Sequence, residues 1–454
     1  MSSSSAIAQP HDPYAALRVR NFRDYLAGSF CALVGRQAVT AAAIWQVYQW
    51  THSSTALGLV GLINVLPLLA LSLPAGAMAD NHDRRRLIAL GTVAIVLVNG
   101  ALAVVAFWPA AVPALAPLHA VNSALRGIAL VFERHTAIDQ LHFDEPALPL
   151  VFALLLANAC ARILIWPARS SITPLLVPVS ALGNAITWSA SAFEIATVAG
   201  PALGGFLIAW IGTATVYALG AVLELVFLIA LGRVTYFTAP QRAATRRTWR
   251  DVLAGADFIW RKKVILGASS LDLFAVLLGG ATALLPVYAD QILHVGPIGF
   301  GWLRAAPSLG AFVMAVWLAH RAPLARPGLA LLWTVVGFGV AIIVFGFSRW
   351  FWLSLVALFF TGVFDNVSVV VRQSLVQLLT PDALRGRVTA VNQIFIGSSN
   401  EIGALRAGMM AALIGPVGAV VWGGIGTIIV VGVIARAVPQ LARLPALHTL
   451  QPEV

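Results

Sequence analysis

Long runs without a single charge constrain this chain more than any motif in it. Windows such as Ile88–Trp108, Leu207–Leu223 and Leu413–Ala435 contain no Asp, Glu, Lys or Arg. About 20 apolar residues in a helix cross a bilayer core. Backbone N–H and C=O groups in hydrocarbon must be satisfied within the chain, which leaves helices or closed barrels. Barrel strands are about half as long and alternate in polarity, so these runs read as helices. The composition agrees, at 59% hydrophobic and 10% charged over 454 residues. We place twelve helices at 27–50, 56–79, 87–108, 147–167, 183–210, 212–232, 264–289, 297–319, 327–347, 350–374, 388–413 and 416–437. The expected fold class is an all-α polytopic membrane protein.

A net charge of +11 would suggest a nucleic-acid partner in a soluble protein, but the positions of the charges argue otherwise. With the N-terminus inside, most basic residues fall on one side. They include Arg18, Arg20, Arg23, Arg84–Arg86 and eight between Arg233 and Lys263, whereas Arg126, Arg134 and Arg349 fall outside. That asymmetry is the positive-inside rule and predicts both termini in the cytoplasm. No nucleic-acid partner is expected; the partners are lipid and a small molecule, and the default state is a monomer. Cys31 and Cys160 both sit in apolar helices, which indicates neither a disulfide nor thiol chemistry. Met1–Pro13 lacks a signal-peptide pattern.

Six predicted helices precede the longest polar stretch and six follow it. This divides the chain into a cytoplasmic N-terminal segment 1–26, a bundle 27–232, a linker 233–263, a bundle 264–437 and a tail 438–454. Within the linker, Thr248–Trp260 is amphipathic and predicts a helix on the membrane surface. The halves repeat: Arg169, Ser171, Leu175-Leu176 and Pro178 match Arg372, Ser374, Leu378-Leu379 and Pro381 at an offset of 203, and Gly61 and Pro67 match Gly301 and Pro307 at 240. The offsets differ by about 37, so the first half carries an insertion, best placed at 109–146. It holds a possible helix near His119–Leu141 with Glu133, Arg134, His135 and Asp139, followed by Asp144-Glu145-Pro146. It reads as a tolerated surface insertion or, alternatively, as a docking element or substrate cap.

Three groups of residues can carry function. Gly76-Ala-Met-Ala-Asp80-Asn-His-Asp-Arg84-Arg85-Arg86 must be a tight polar hairpin between two spans. There Gly76 permits close approach, Asp80 can cap a helix or pair with an arginine, and Arg84 and Arg85 supply anchoring charge. In Gly200-Pro201-Ala-Leu-Gly204-Gly205 the proline bends the helix and the glycines permit tight contact. The third group is intramembrane charge: Arg36, Arg162, Arg304 and Arg406 face Glu194, Glu224, Asp272, Asp365 and Glu401. Each costs about 2.5–3.5 kcal/mol at a helix centre, so near-balance predicts pairing or a wet cavity. Asp272, Asp365 and Glu401 read as proton carriers or as halves of fixed ion pairs. Arg162 reads as an organising salt bridge or part of proton coupling. Glu194 can line the cavity and select cations, Arg304 can snorkel outward, and Glu224 has no evident partner. Trp188 and Phe193 read as pocket lining or core packing. Neither metal-ligand spacing nor a phosphate-binding Gly-Lys-Ser/Thr loop is present, so neither a cofactor nor an ATP-driven pump is expected; carboxylates acting as proton carriers would draw on a proton gradient.

The hairpin motif resembles the loop between helices 2 and 3 of the major facilitator superfamily, and Gly200–Gly205 resembles the core of the antiporter motif of its proton-coupled exporters. Further blocks resemble the branch containing the enterobactin exporter and related bacterial permeases. They are Asn21-Phe22-Arg23, Trp45-Gln-Val-Tyr48 with Thr51, Leu271-Asp272-Leu-Phe-Ala-Val, Leu303-Arg304-Ala-Ala-Pro307, Thr380-Pro-Asp382 with Arg385-Gly-Arg-Val388, and Asn400-Glu401. The resemblance implies two pseudo-symmetric six-helix halves, a hairpin acting as a latch for the outward-facing state, and a functional arginine at Arg162. It implies proton-coupled efflux of a siderophore or amphipathic drug-like molecule across a bacterial cytoplasmic membrane, not an enzyme. Two other readings are a symporter or uniporter for metabolite uptake, and a membrane receptor without transport.

Overall fold

The computed structural model describes residues 12–113, 116–134, 141–143, 145–236, 249–321 and 324–445. His135, Asp139, Asp144, residues 237–248 of the expected linker and residues 446–454 of the expected tail lie outside the described residues. Helices dominate: α1 (Arg20–Thr51), α2 (Ser54–Asn81), α3 (Arg84–Phe107), α4 (Ala116–Phe132), α5 (Leu148–Ile172), α6 (Leu182–Arg233), α7 (Trp249–Arg261), α8 (Lys263–Gly279), α9 (Gly296–Ala319), α10 (Pro327–Phe347), α11 (Phe351–Leu379) and α12 (Asp382–Ala437). Ten runs among the described residues are long and apolar enough to cross a membrane. Two of them, α6 and α12, hold two crossings each, which accounts for the twelve expected spans.

Each double-length helix is divided by a glycine. Gly212 has φ 79° and ψ 163°, and Gly415 has φ 81° and ψ 158°. Side chains rarely adopt that backbone. The two glycines are 203 residues apart, the same offset that relates Arg169 to Arg372. The duplication therefore extends to the sharp turns that return each half through the membrane, a regularity the sequence carried and our reading missed.

Other helices run past their expected ends, because polar turns continue the backbone hydrogen bonding beyond the apolar stretch. The span expected at 264–289 instead stops at Gly280, and Thr282–Ile292 continues as short 3₁₀, α and π turns. The amphipathic helix α7 also differs from expectation. It packs on α12 and α8 through Ile259, Val388, Val391 and Ile265, while Leu253 and Trp260 stay exposed. Part of its apolar face thus packs on protein.

Helix packing brings the halves together along two crossings, α2 on α12 and α6 on α9. Small residues make both possible. A Cβ on Gly408 would stand 2.6 Å from Cα of Gly58, and one on Gly205 would stand 2.7 Å from Cα of Gly301. The repeat pair Gly61 and Gly301 does the same work in each half: Gly61 meets Glu401 and Ala404, and Gly301 meets Pro201 and Gly205.

Candidate functional site: a one-sided opening and its buried charges

The apolar core is not distributed evenly between the two ends of the molecule. At the end bearing the α1–α2 turn and the insertion, one continuous cluster joins residues of both halves, among them Trp45, Val60 and Phe300. At the opposite end, where the first and last described residues lie, the core separates into one cluster from the first half and two from the second. Polar contacts reinforce the closed end. Tyr48 donates to Asp290 at 3.2 Å, and the Trp45 and Phe300 rings sit 5.4 Å apart. The protein is therefore held in one alternating-access state, sealed at the insertion end and separated at the terminal end.

The insertion belongs to that seal. Helix α4 ends at Phe132, and Glu133 turns inward, 6% exposed. Its carboxylate accepts from Ser53 Oγ at 2.7 Å and from the backbone N–H of Thr55 at 3.0 Å, capping the start of α2. The next residue, Arg134, donates its N–H to the carbonyl of Ala412 in the second half at 2.8 Å. Opposite, His142 N–H reaches Thr51 at 3.2 Å. The segment spans the closed end.

At the other end the hairpin's hydrogen bonds among the described residues go to its own half. Arg84 donates to the carbonyl of Ser171 at 2.9 Å, Arg85 to that of Gly232 at 2.5 Å, and the Arg85 N–H donates to the Tyr236 hydroxyl at 2.9 Å. Burial pushes the Tyr236 hydroxyl above its ordinary range, so it stays a neutral partner. Two details differ from expectation. Asp83, not Asp80, caps α3 by accepting from the Arg86 N–H at 2.8 Å, and a Cβ on Gly76 would meet nothing within 4 Å. Glycines that meet the other half closely in this state include Gly58, Gly61, Gly205, Gly301 and Gly408 instead. In the Gly200–Gly205 segment, Gly200 packs on Gln37, Gly204 on Ala38, and Gly205 on Gly301. It therefore braces α6 against α1 and α9 at once, with Pro201 between them.

The intramembrane charges sort into three groups. Glu224, fully buried, has the partners the sequence did not reveal: Arg36 Nη2 at 3.2 Å and Arg169 Nη2 at 3.6 Å. The Arg169 guanidinium also lies 4.3 Å from the Phe227 ring centroid. In the second half Arg372, matching Arg169 in the repeat, forms an ion pair with Asp272, and both are nearly fully buried. Asp272 is thus half of a fixed pair in this state.

The third group lies at the junction of the halves. Arg162 donates to the side-chain oxygen of Asn64 at 3.2 Å. Glu401 lies beside Asn64 and within electrostatic reach of Arg162 and Arg304. Arg304 therefore faces an acid of the second half instead of snorkelling. Arg406 donates to the carbonyl of Leu278 and ties α12 to the end of α8. Asp365 sits beside Asp272 and Ser368 in a narrow space between α8, α10 and α11. It has no hydrogen-bond or ion-pair partner among the described residues.

A cavity of about 250 Å³ opens between α1, α5 and α6, walled by Arg36, Arg162, Arg169, Trp166 and Phe193. Glu194 is not among its lining residues, so selection of cations by that carboxylate finds no counterpart here. Trp188 lies away from the cavity and donates to the carbonyl of Pro13 at 3.0 Å. Among the described residues no cluster of His, Cys, Asp or Glu could hold a metal.

Two pseudo-symmetric six-helix bundles, meeting at one end and parted at the other around buried charge, define a secondary transporter of the major facilitator type. The chain belongs to the transmembrane secretion effector family of that superfamily, whose model matches residues 11–130 and 136–451; the break between the matched stretches falls in the insertion. It is 25% identical over 424 residues to the enterobactin exporter EntS of Shigella boydii serotype 18, covering 93% of this chain and 92% of that protein. The EntS of Escherichia coli O139:H28 matches to the same extent. Among solved structures, a bacterial homolog of the human lysosomal transporter Spinster, inward-facing and occupied, superimposes with a TM-score of 0.64 at 14% identity, covering 96% of this chain and 98% of that one. A bacterial homologue of the iron transporter ferroportin, also inward-facing, gives 0.58 at 16% identity over 91% of this chain and 99% of that one. At those identities the structures speak to the fold alone. Fold and family are those of transporters, not enzymes.

Proposed function

We propose that this protein exports an amphipathic small molecule, a siderophore or drug-like compound, across a bacterial cytoplasmic membrane in exchange for protons. The observation that carries the reading is the one-sided opening. The arginine-lined cavity lies in a molecule parted at the end where the first and last described residues and most basic residues cluster, and sealed at the other. Under the positive-inside rule that open end is cytoplasmic, where an exporter loads. The enterobactin exporters among its relatives support the direction, as does the Gly200–Gly205 brace.

In this scheme Asp365 is the leading proton carrier, because it alone of the three candidate carboxylates lacks a partner. Asp272 and Arg372 hold the second bundle together, and Glu401 with Arg162 links the halves at the cavity. Inward movement of each proton across 100 mV contributes about 2.3 kcal/mol to efflux. Rocking of the bundles breaks the seal at the insertion end and brings the Gly76–Arg86 hairpin against the second half.

Direction separates export from uptake. Energised inverted membrane vesicles should accumulate a substrate drawn from a panel of siderophores and amphipathic dyes. Accumulation only in right-side-out vesicles would contradict export and favour symport or uniport.

A further inference from the structure

Three arginines share the wall of one small cavity, and one fully buried acid stands among them. Arg36 lies close enough to repel both Arg162 and Arg169. Glu224 neutralises one charge, from behind the wall. Glu401 reaches the group from the second half through Asn64 and is itself shared with Arg304. Like charges held together away from water repel strongly, so the wall carries an excess of positive charge in this state.

The hydrogen-bond inventory points the same way. Arg36 Nε, Arg162 Nε and Arg169 Nε are buried without a hydrogen-bond acceptor among the described residues, while Arg169 Nη2 faces the Glu224 carboxylate at 3.6 Å. The Arg169 side chain is only 9% exposed. A buried donor left without an acceptor keeps its full desolvation penalty. Guanidinium groups match carboxylate, sulfonate and phosphate oxygens in charge and in planar geometry. The rest of the wall is apolar, including Leu33, Ile163, Trp166 and Phe193, and suits the ring or chain attached to such a group.

We infer that the Arg36–Arg162–Arg169 cavity binds the anionic group of the cargo, so that the substrate is an amphipathic anion. This rests on the transport reading above and narrows it to one charge class. Arg162 contacts the anion directly. Arg169, held by Glu224 and Phe227, forms the fixed rear of the site.

The test uses three matched probes, 1-naphthalenesulfonate, 1-naphthylmethylammonium and 1-naphthalenemethanol, titrated calorimetrically against the full-length protein in lipid nanodiscs. The sulfonate should bind at least about tenfold tighter than the alcohol, equivalent to about 1.4 kcal/mol, and the ammonium weakest. Arg162→Gln should remove that preference and Arg162→Lys should keep part of it. Because Arg36→Gln alone strips Glu224 of a partner and can unfold the protein, the balanced pair Arg36→Gln/Glu224→Gln serves as the second variant and should also lose the preference. Equal binding of the three probes, or a sulfonate preference unchanged in folded Arg162→Gln and in the balanced pair, would overturn the inference. Tight, arginine-dependent binding of a sulfonate that energised inverted vesicles fail to accumulate would instead count against export alone.

Discussion

The glycine contacts at the closed end give the sharpest quantitative prediction. A Cβ at position 205 would stand 2.7 Å from Cα and 2.8 Å from N of Gly301. Both are backbone atoms, so one helix must move. Overpacking of this kind costs typically about 1–3 kcal/mol. The penalty falls only on the conformer in which α6 and α9 touch at this point. A cost of about 2 kcal/mol therefore lowers the ratio of this state to the opposite one by about 30-fold. Gly408→Ala acts on the other crossing, where the added carbon would lie 2.6 Å from Cα of Gly58. The two sites lie on separate crossings, so their effects should roughly add. Spin labels at the exposed positions Ile211 and His294, in a background with Cys31 and Cys160 replaced by serine, report the distance across the seal by double electron–electron resonance. Gly205→Ala should shift population to the longer distance, and Gly205→Ala/Gly408→Ala should shift it further. Gly183→Ala, in the same helix with nothing within 4 Å of its Cβ, is the control. An unchanged distance distribution in folded Gly205→Ala would refute the assignment of these glycines to the gate.

Other perturbations have equally definite outcomes. Asp272→Asn leaves Arg372 buried and uncompensated and should cost about 3–5 kcal/mol, read as a lowered thermal transition in nanodiscs, whereas the apolar pair Asp272→Leu/Arg372→Met should recover most of it. Glu133→Ala strips the Ser53 hydroxyl and Thr55 N–H of their acceptor, at about 1–3 kcal/mol, and should lengthen the Ile211–His294 distance as the gate glycines do. Gly76→Ala should leave that distance unchanged, since its Cβ meets nothing here, yet slow transport if the hairpin docks closely in the opposite state; full transport by this variant would remove Gly76 from the latch.

The helical class and the number of spans were legible because apolar run length is a one-dimensional signal and charge-free windows are hard to misread. Their exact ends were less so, since Asp382–Arg387 and Arg20–Arg23 extend helices into polar surroundings where hydropathy falls silent. Which glycine closes which contact was not legible. Gly76 and Gly205 look alike in sequence, but only Gly205 lies opposite another backbone in this state. The pairing of charges was also hidden, because it depends on which helices pack together. Glu224 gains its partners only where α6 packs near α1 and α5, and the sequence leaves Asp272 open between proton carrier and half of an ion pair until its repeat-related arginine lies beside it. The offset of 203 could have revealed more, since it joins Gly212 to Gly415 as surely as Arg169 to Arg372. The excess of arginine at the cavity was open to sequence inspection only as a near-balanced count spread over the whole membrane region.

The account turns on proton-coupled export with Asp365 as carrier. The most direct measurement follows lumenal pH in energised inverted vesicles as candidate substrates are added, for the wild type and for Asp365→Asn. Substrate-dependent proton release from the lumen is expected in the wild type and none in Asp365→Asn, with the variant still folded and still binding substrate. Substrate accumulation without any proton signal, or undiminished proton release in Asp365→Asn, would contradict it.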